Sequence, residues 1–249
     1  MRGPAIRFSD LKSWISENNL EIFIFLALGA WRIYQWYQDR SFFNLIALLA
    51  VLGAVFFGFT YQIRKMILRD ARVLVCGLGA NPALAEEAES HADIYRRHFP
   101  YVELLKTSKL ADLLATLSSS DFRILHIVSE FAADGMLIET EETHADVASL
   151  FELCRSKRLM FVYFGGNIPG EKRAAVFERV RAARVRHDFP LVITTERGMA
   201  FASFLDRLLQ EISNGKVFGK AWLTLRPQDA VSGAPQPLVD PGPKGLLLL

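Results

Sequence analysis

The chain has 249 residues, room for a small membrane module and one globular domain with a sizeable core. A net charge of +2 gives no global attraction for nucleic acid, so any basic site has to be local. Cys76 and Cys154 fall in separate predicted elements, with neither a metal spacing nor a disulfide framework. The five histidines, His91, His98, His126, His144 and His187, form no HExxH pattern, and no cofactor or metal is expected.

Residues 1–19 predict a short amphipathic helix. Phe8, Leu11, Trp14 and Ile15 recur at helical spacing, with Ser9 as N-cap, on a segment suited to a membrane interface or to the protein's own surface. Residues 20–72 predict a transmembrane hairpin and its linker. The stretch Phe42–Tyr61 has Asn44 and Thr60 as its only polar side chains. As a helix, its twenty residues reach roughly 30 Å, the thickness of a bilayer's hydrocarbon core. Leu20–Tyr37 forms the partner span if Arg32 snorkels or faces another helix, with Trp31, Tyr34, Trp36 and Tyr37 as an aromatic belt. Arg2, Arg7 and Lys12 precede the hairpin and Arg64, Lys65, Arg69 and Arg72 follow it, whereas its turn holds only Arg40, so both ends should face the cytoplasm. Two helices cannot enclose an aqueous path alone. In an oligomer Arg32 and Asn44 would line or plug one, and Ala50 and Ala54 offer small-residue spacing for helix contact. The simpler reading of the hairpin is an anchor.

From residue 73 to 227 short apolar runs alternate with helical patterns. Val73–Cys76, Tyr101–Leu105, Phe122–Val128, Leu159–Phe164 and Leu191–Thr194 read as strands. Between and after them, helices are predicted from Pro82 (capped by Asn81) to about Phe99, and over Ser108–Leu117, Asp146–Ser156, Lys172–Arg186 and Gly198–Ser213. This alternation predicts one α/β domain, a mainly parallel five-stranded sheet with helices on both faces. Residues 228–249, rich in Pro and Gly, read as a disordered tail.

Ligands of such sheets bind at the carboxyl ends of the strands. Gly77 and Gly79, Ser129 and Glu130, Gly165, Gly166 and Asn167, and Thr194 to Arg197 arrive there. Gly77-x-Gly79 begins like a dinucleotide fingerprint, but Pro82 holds the third glycine position, so a tight strand-to-helix turn is the favoured reading. The run GGNIPG at 165–170 precedes a helix opening with Glu171, Lys172 and Arg173, an arrangement suited to an anion. Lys172, Arg173, Arg179, Arg181, Arg184 and Arg186 read as a solvated basic face, or as a surface for a phosphate backbone or anionic lipid. His126 reads as a satisfied core histidine and Cys154 as packing. The expected ligand contacts are Ser129, Glu130, Gly165, Gly166, Asn167, Lys172, Arg173 and Arg197.

Across about residues 73–226 the order of these pieces resembles the caspase-like proteases of the CHAT group. In that family the third strand ends in a His-x-x-x-His-Gly type motif and the fourth in a Ser-Ala-Cys type motif. Here ILHIVSEFAADG keeps His126 but has Glu130 at the catalytic histidine's place, and FVYFGGN puts Gly166 at about the nucleophile's place. The closing helix and its continuation, MAFASFLDRLLQEISNGKVFGKAWLTLR, also look like the family's last helix. The resemblance therefore implies a domain that has lost protease chemistry and is not an enzyme, since glycine offers no thiolate. Joined to the hairpin, it looks like bacterial anti-phage effectors of the inner membrane. It implies a homo-oligomeric pore or ion channel, gated by a nucleotide or oligonucleotide on the cytoplasmic domain. The alternatives are a membrane-anchored hydrolase using Glu130 or Glu196 as base, and a scaffold docking a partner protein encoded nearby.

Overall fold

In the computed structural model the described residues are 19–39, 45–53, 58, 70–157, 159–167, 175, 178, 179, 182, 191–194, 199–214, 221, 224, 225 and 238–240. They belong to two compact units, one within Ile6–Leu68 and the other carrying Arg69–Leu249.

In the first unit, helix α1 spans Asn19–Gln38 and residues 45–53 are also helical. Among the described residues, no helix is long and apolar enough to cross a membrane. α1 matches the length expected for Leu20–Tyr37, but Glu21, Arg32, Gln35 and Gln38 interrupt its apolar content. Of the stretch Phe42–Tyr61 only 45–53 and 58 are described, and the predicted helix over 8–18 lies outside the described residues.

The second unit is an α/β domain with a mainly parallel sheet flanked by helices. Its elements are β1 (Arg72–Leu78), α2 (Pro82–Arg96), β2 (Tyr101–Thr107), α3 (Leu110–Ser119), β3 (Ile124–Glu130), β4 (Leu137–Ile138), β5 (His144–Ala145), α4 (Ala148–Ser156), β6 (Phe161–Asn167), β7 (Leu191–Thr194), α5 (Met199–Ser213) and β8 (Leu238–Asp240). The main sheet runs β2-β1-β3-β6-β7-β8, with every pair parallel except β7–β8. The chain moves outward from β1 to β2 and then returns past β1 to β3. Right-handed crossovers on those two opposite steps put α2 on one face and α3 on the other.

α2 starts where the sequence predicts. Asn81 Oδ1 accepts the Ala83 amide at 3.0 Å, and Pro82 opens the helix without needing a donor. Its inward stripe, Leu84, Ala88, His91, Ala92 and Tyr95, follows the helical period. Pro100, four residues beyond Arg96, keeps the chain from continuing as helix. On the opposite face Leu110, Leu113 and Leu117 of α3 and Leu150, Phe151 and Cys154 of α4 join Leu74, Cys76, Leu125, Ile127, Val162 and Phe164 of the sheet in one apolar core. Burying each large side chain there contributes about 1.5–3 kcal/mol before conformational entropy is subtracted.

The expected strands are all present, and four of them run two or three residues further than the apolar runs suggest. Ladder partners explain the extensions. Gly77 pairs between Lys106 and Val128, Leu78 with Thr107, and Glu130 with Asn167, so backbone pairing carries the strands into polar and glycine positions. Gly77 therefore lies inside β1, not in the turn, which begins at Gly79 (φ 134°). Three strands were not foreseen. The small antiparallel pair β4–β5 rises from the segment after β3, and β8, within the stretch expected to be a disordered tail, pairs antiparallel with β7. Of the helix predicted over Lys172–Arg186, residues 175, 178, 179 and 182 are described and helical.

Candidate functional site

The chain reverses its strand order between β1 and β3, and the crevice outside their carboxyl ends is the usual ligand position in such sheets. Here the chain itself bridges it. Asn81, while capping α2, donates from Nδ2 to Glu130 Oε1 at 3.1 Å. The Gly79 amide donates to the Thr107 carbonyl at 3.0 Å and the Ala80 amide to the Glu139 carbonyl at 2.9 Å. Glu139 also turns its carboxylate to α3, where Oε1 accepts the Leu110 amide at 2.5 Å. A carboxylate at a helix start satisfies a free N–H and meets the positive end of the helix dipole. Both helix starts on this part of the edge are thus occupied by side chains of the protein.

The expected ligand contacts separate in space. Glu130 is half-buried at the end of β3, level in the ladder with Asn167, while Gly166 is level with Ser129. Ser129 is fully buried, and its Oγ has no hydrogen-bond partner among the described residues. It lies beneath the edge, on the side of β3 that faces the larger apolar core. Gly165 is also buried; a Cβ built there would stand 3.6 Å from His126 Nε2 and 3.8 Å from His91 Cε1. Lys172, Arg173 and Arg197 lie outside the described residues. So do Asn44 and Ala54, whereas Ala50 is exposed on the helical segment 45–53 and Arg32 is exposed on α1, bonded to Gln35 at 3.0 Å. From the basic run, Arg179 donates to Asp146 Oδ2 at 2.7 Å and to the Asp134 carbonyl at 2.8 Å. It holds the segment after β3, beside a shallow depression of ≈ 410 Å³ lined by Asp146, Ala148, Glu178, Arg179 and Ala182.

Gly77 lies where the first turn of α2 packs on β1. A Cβ there would meet Leu84 O at 2.8 Å and Ala85 Cα at 3.0 Å, so the glycine serves the close packing of α2 on β1.

Below the edge, on the α2 face of the sheet, lies a polar cluster. His91 Nδ1 and His126 Nε2 are 2.9 Å apart, and the Tyr95 hydroxyl is 3.2 Å from His126 Nδ1. The Tyr163 ring stacks on His126 with centroids 4.7 Å apart, and Glu87 Oε1 stands 4.0 Å from His91 Nε2. His126 has no exposed surface. Burial first, and then the neighbouring His91, hold its pKa well below the ordinary histidine value. Burial likewise raises the Tyr95 phenol, next helped by Tyr163, so its hydroxyl stays protonated. The expectation for His126 was a satisfied core residue, and both its ring nitrogens do have partners. Its partner His91 was not singled out. The available signal was Glu87, His91 and Tyr95 at four-residue steps along one face of α2, but nothing local tells that face which strand it will meet.

The two cysteines lie in the apolar core of the opposite face. Burial pushes the Cys76 thiol up to about 12 and the Cys154 thiol upward as well, so neither supplies a thiolate at neutral pH. Compared with known proteins, the chain matches no family model and no curated protein.

Proposed function

We propose that the chain is an oligomeric membrane effector, a pore or ion channel of bacterial defence, controlled by its α/β domain. The observation that carries this reading is the set of large apolar side chains the helical unit leaves exposed. Leu28, Trp31, Ile33, Tyr34 and Tyr37 on α1 and Ile46, Leu49 and Leu52 on 45–53 are each 42 % exposed or more. So many large apolar side chains left exposed on two helical segments call for lipid or another copy of the chain to cover them. The uncharged sequence from Phe42 to Tyr61 supports lipid, and the hairpin it forms with Leu20–Tyr37 is the membrane part of this reading. Both termini and the α/β domain then lie in the cytoplasm of a bacterial inner membrane.

In the α/β domain the reading is of a caspase-like sensor without catalysis. Gly166 stands where a nucleophile belongs in the resembled proteases, and the chain's cysteines are buried away from the edge. An anionic ligand of the nucleotide type is assigned to the β6–β7 side of the edge. Glu130 and Glu139 make the β1–β3 side unwelcoming to negative charge, whereas Lys172, Arg173 and Arg197 follow β6 and β7 in sequence. Ligand there favours one packing of the cytosolic domains, and the linker Gln62–Arg72 passes the change to the helices.

The test is expression of the full chain beside residues 73–249, followed by membrane fractionation and a potential-sensitive dye. The expected result is a full chain that resists carbonate extraction and depolarises the cells, with the shorter chain soluble and inert. A soluble full chain, or equal toxicity from residues 73–249, overturns the reading.

A further inference from the structure

We propose that the outer edge of β7 is the surface through which two copies of the α/β domain join, and that β8 is the strand they exchange: Leu238–Asp240 of one copy pairs with Leu191–Ile193 of the next. The two ends of the main sheet are guarded differently. At one end β2 carries the exposed Glu103 and Lys106, charges that discourage a further strand from adding. Toward the other end β7 reads Leu-Val-Ile-Thr and has no charge to do this. It is covered instead by β8, which pairs antiparallel with it, Leu191 with Asp240, Val192 with Val239 and Ile193 with Leu238.

Prolines bound that ladder. Continued by one residue at each end, the same register sets Pro241 opposite Pro190 and Pro237 opposite Thr194. A proline has no N–H to give a sheet, so β8 is a module of three residues that does not lengthen. So short a ladder holds weakly, because each backbone bond replaces one to water and adds little net. β8 therefore leaves β7 far more readily than β1, β3 and β6 leave one another. Once it does, the donors and acceptors of β7 stand open, and the segment known to fit them is the same segment of another copy. Exchange keeps every pair of the ladder and adds a link between domains, the low-cost route by which identical elements join protomers.

The reach is sufficient. Fully extended, residues 226–237 span at most about 40 Å, about the diameter of a domain of this size. The inference deepens the oligomeric reading above and rests on it for the nearness of a second copy. Copies gathered by their helices hold each other's tails at high local concentration, so a β7 that has lost its own β8 is soon covered by a neighbour's. Each sheet is then completed by the next copy, and the series closes where the last tail reaches the first β7.

The test is cysteine cross-linking of the full chain, with V192C and V239C placed on two co-expressed copies that carry tags of different size. Directly opposite residues of an antiparallel pair have Cα atoms about 4.5–5.5 Å apart, within disulfide reach. Mild oxidation should therefore give a covalent dimer holding both tags. V192C beside L238C should give none, because successive side chains of a strand turn to opposite faces. V192C beside the double variant L238P/V239C should lose the dimer as well, since the proline breaks the ladder. Protection of the buried Cys76 and Cys154 from a thiol reagent shows that each variant is folded. Equal cross-linking of V192C to V239C and to L238C means tails colliding at random and overturns the proposal. Absence of the two-tag dimer overturns it too, as when a single chain carrying V192C and V239C closes a disulfide only within itself. Carbonate extraction of the same cells keeps the two readings apart: a soluble full chain that forms the two-tag dimer overturns the membrane reading alone, and a membrane-bound, depolarising chain without the dimer overturns the exchange alone.

Discussion

Replacing Gly77 by Ala should destabilise the α/β domain, whereas the same change at Gly165 should not. Both glycines lie in strands of one sheet and face the same side, so β propensity and unfolded-state entropy change alike in the two variants. The space differs. At Gly77 the new methyl meets backbone atoms of α2, Leu84 O at 2.8 Å, Ala85 Cα at 3.0 Å and Ala85 N at 3.2 Å. Backbone cannot rotate aside as a side chain can, so α2 has to move off β1, taking Leu84 and Ala88 out of their packing. Overpacking of this kind costs about 1–3 kcal/mol, offset by about 0.4–1 kcal/mol from the stiffer unfolded chain. At Gly165 the nearest atoms stand at 3.6, 3.8 and 3.8 Å, ordinary contact, and a buried methyl contributes about 0.8 kcal/mol in favour of folding. The two variants should therefore differ by at least about 1 kcal/mol, with Gly165→Ala at or above the parent. The assay is guanidinium unfolding of the full chain in detergent, read by pulse labelling of Cys76 and Cys154, which report on this domain alone. A Gly77→Ala variant as stable as Gly165→Ala refutes the steric argument, as does equal destabilisation at both sites.

Asn81→Ala removes the cap of α2 and the bridge to Glu130 together, and should lower the same unfolding free energy by about 1 kcal/mol. Asn81→Asp should keep the cap but set two carboxylates against each other at the edge, so a midpoint matching the parent's would show that the Glu130 contact carries no energy. Phe164 packs its ring against Phe131 and Phe151, with centroids 5.8 and 6.1 Å away, and Phe164→Ala should cost about 3–5 kcal/mol. Neither Cys76 nor Cys154 should react with a thiol reagent in the native state at pH 8, and both should react at the rate of domain opening; immediate labelling of either would contradict their burial.

Much of the α/β domain is legible from the residues in order. VLVC, YVELL, FRILHIV, LMFVYF and LVIT are short apolar runs that only a sheet covered on both faces can bury, and each became a strand. Asn81 followed by Pro82 marks a helix start by purely local means, since the cap needs only the amide two residues on. Local pattern also named the strand ends that line the edge. It did not separate the residues at the edge from those beneath it: Glu130 lies at the edge, while Ser129, its immediate neighbour, points the other way into the core.

What the tertiary structure decided were the meetings between distant segments. His91 and His126 are 35 residues apart and share a proton only because α2 packs across β3. Glu139 caps a helix that begins 29 residues before it, a bond that no reading of α3 and its neighbours could supply. Leu238–Asp240 has too little apolar content to predict a strand, and becomes one because β7 offers an open edge of backbone donors and acceptors. Composition and spacing determine which segments want burial and at what period. Which buried groups then face one another depends on strand order and on the handedness of the crossovers, which are properties of the assembled sheet and of no single stretch within it.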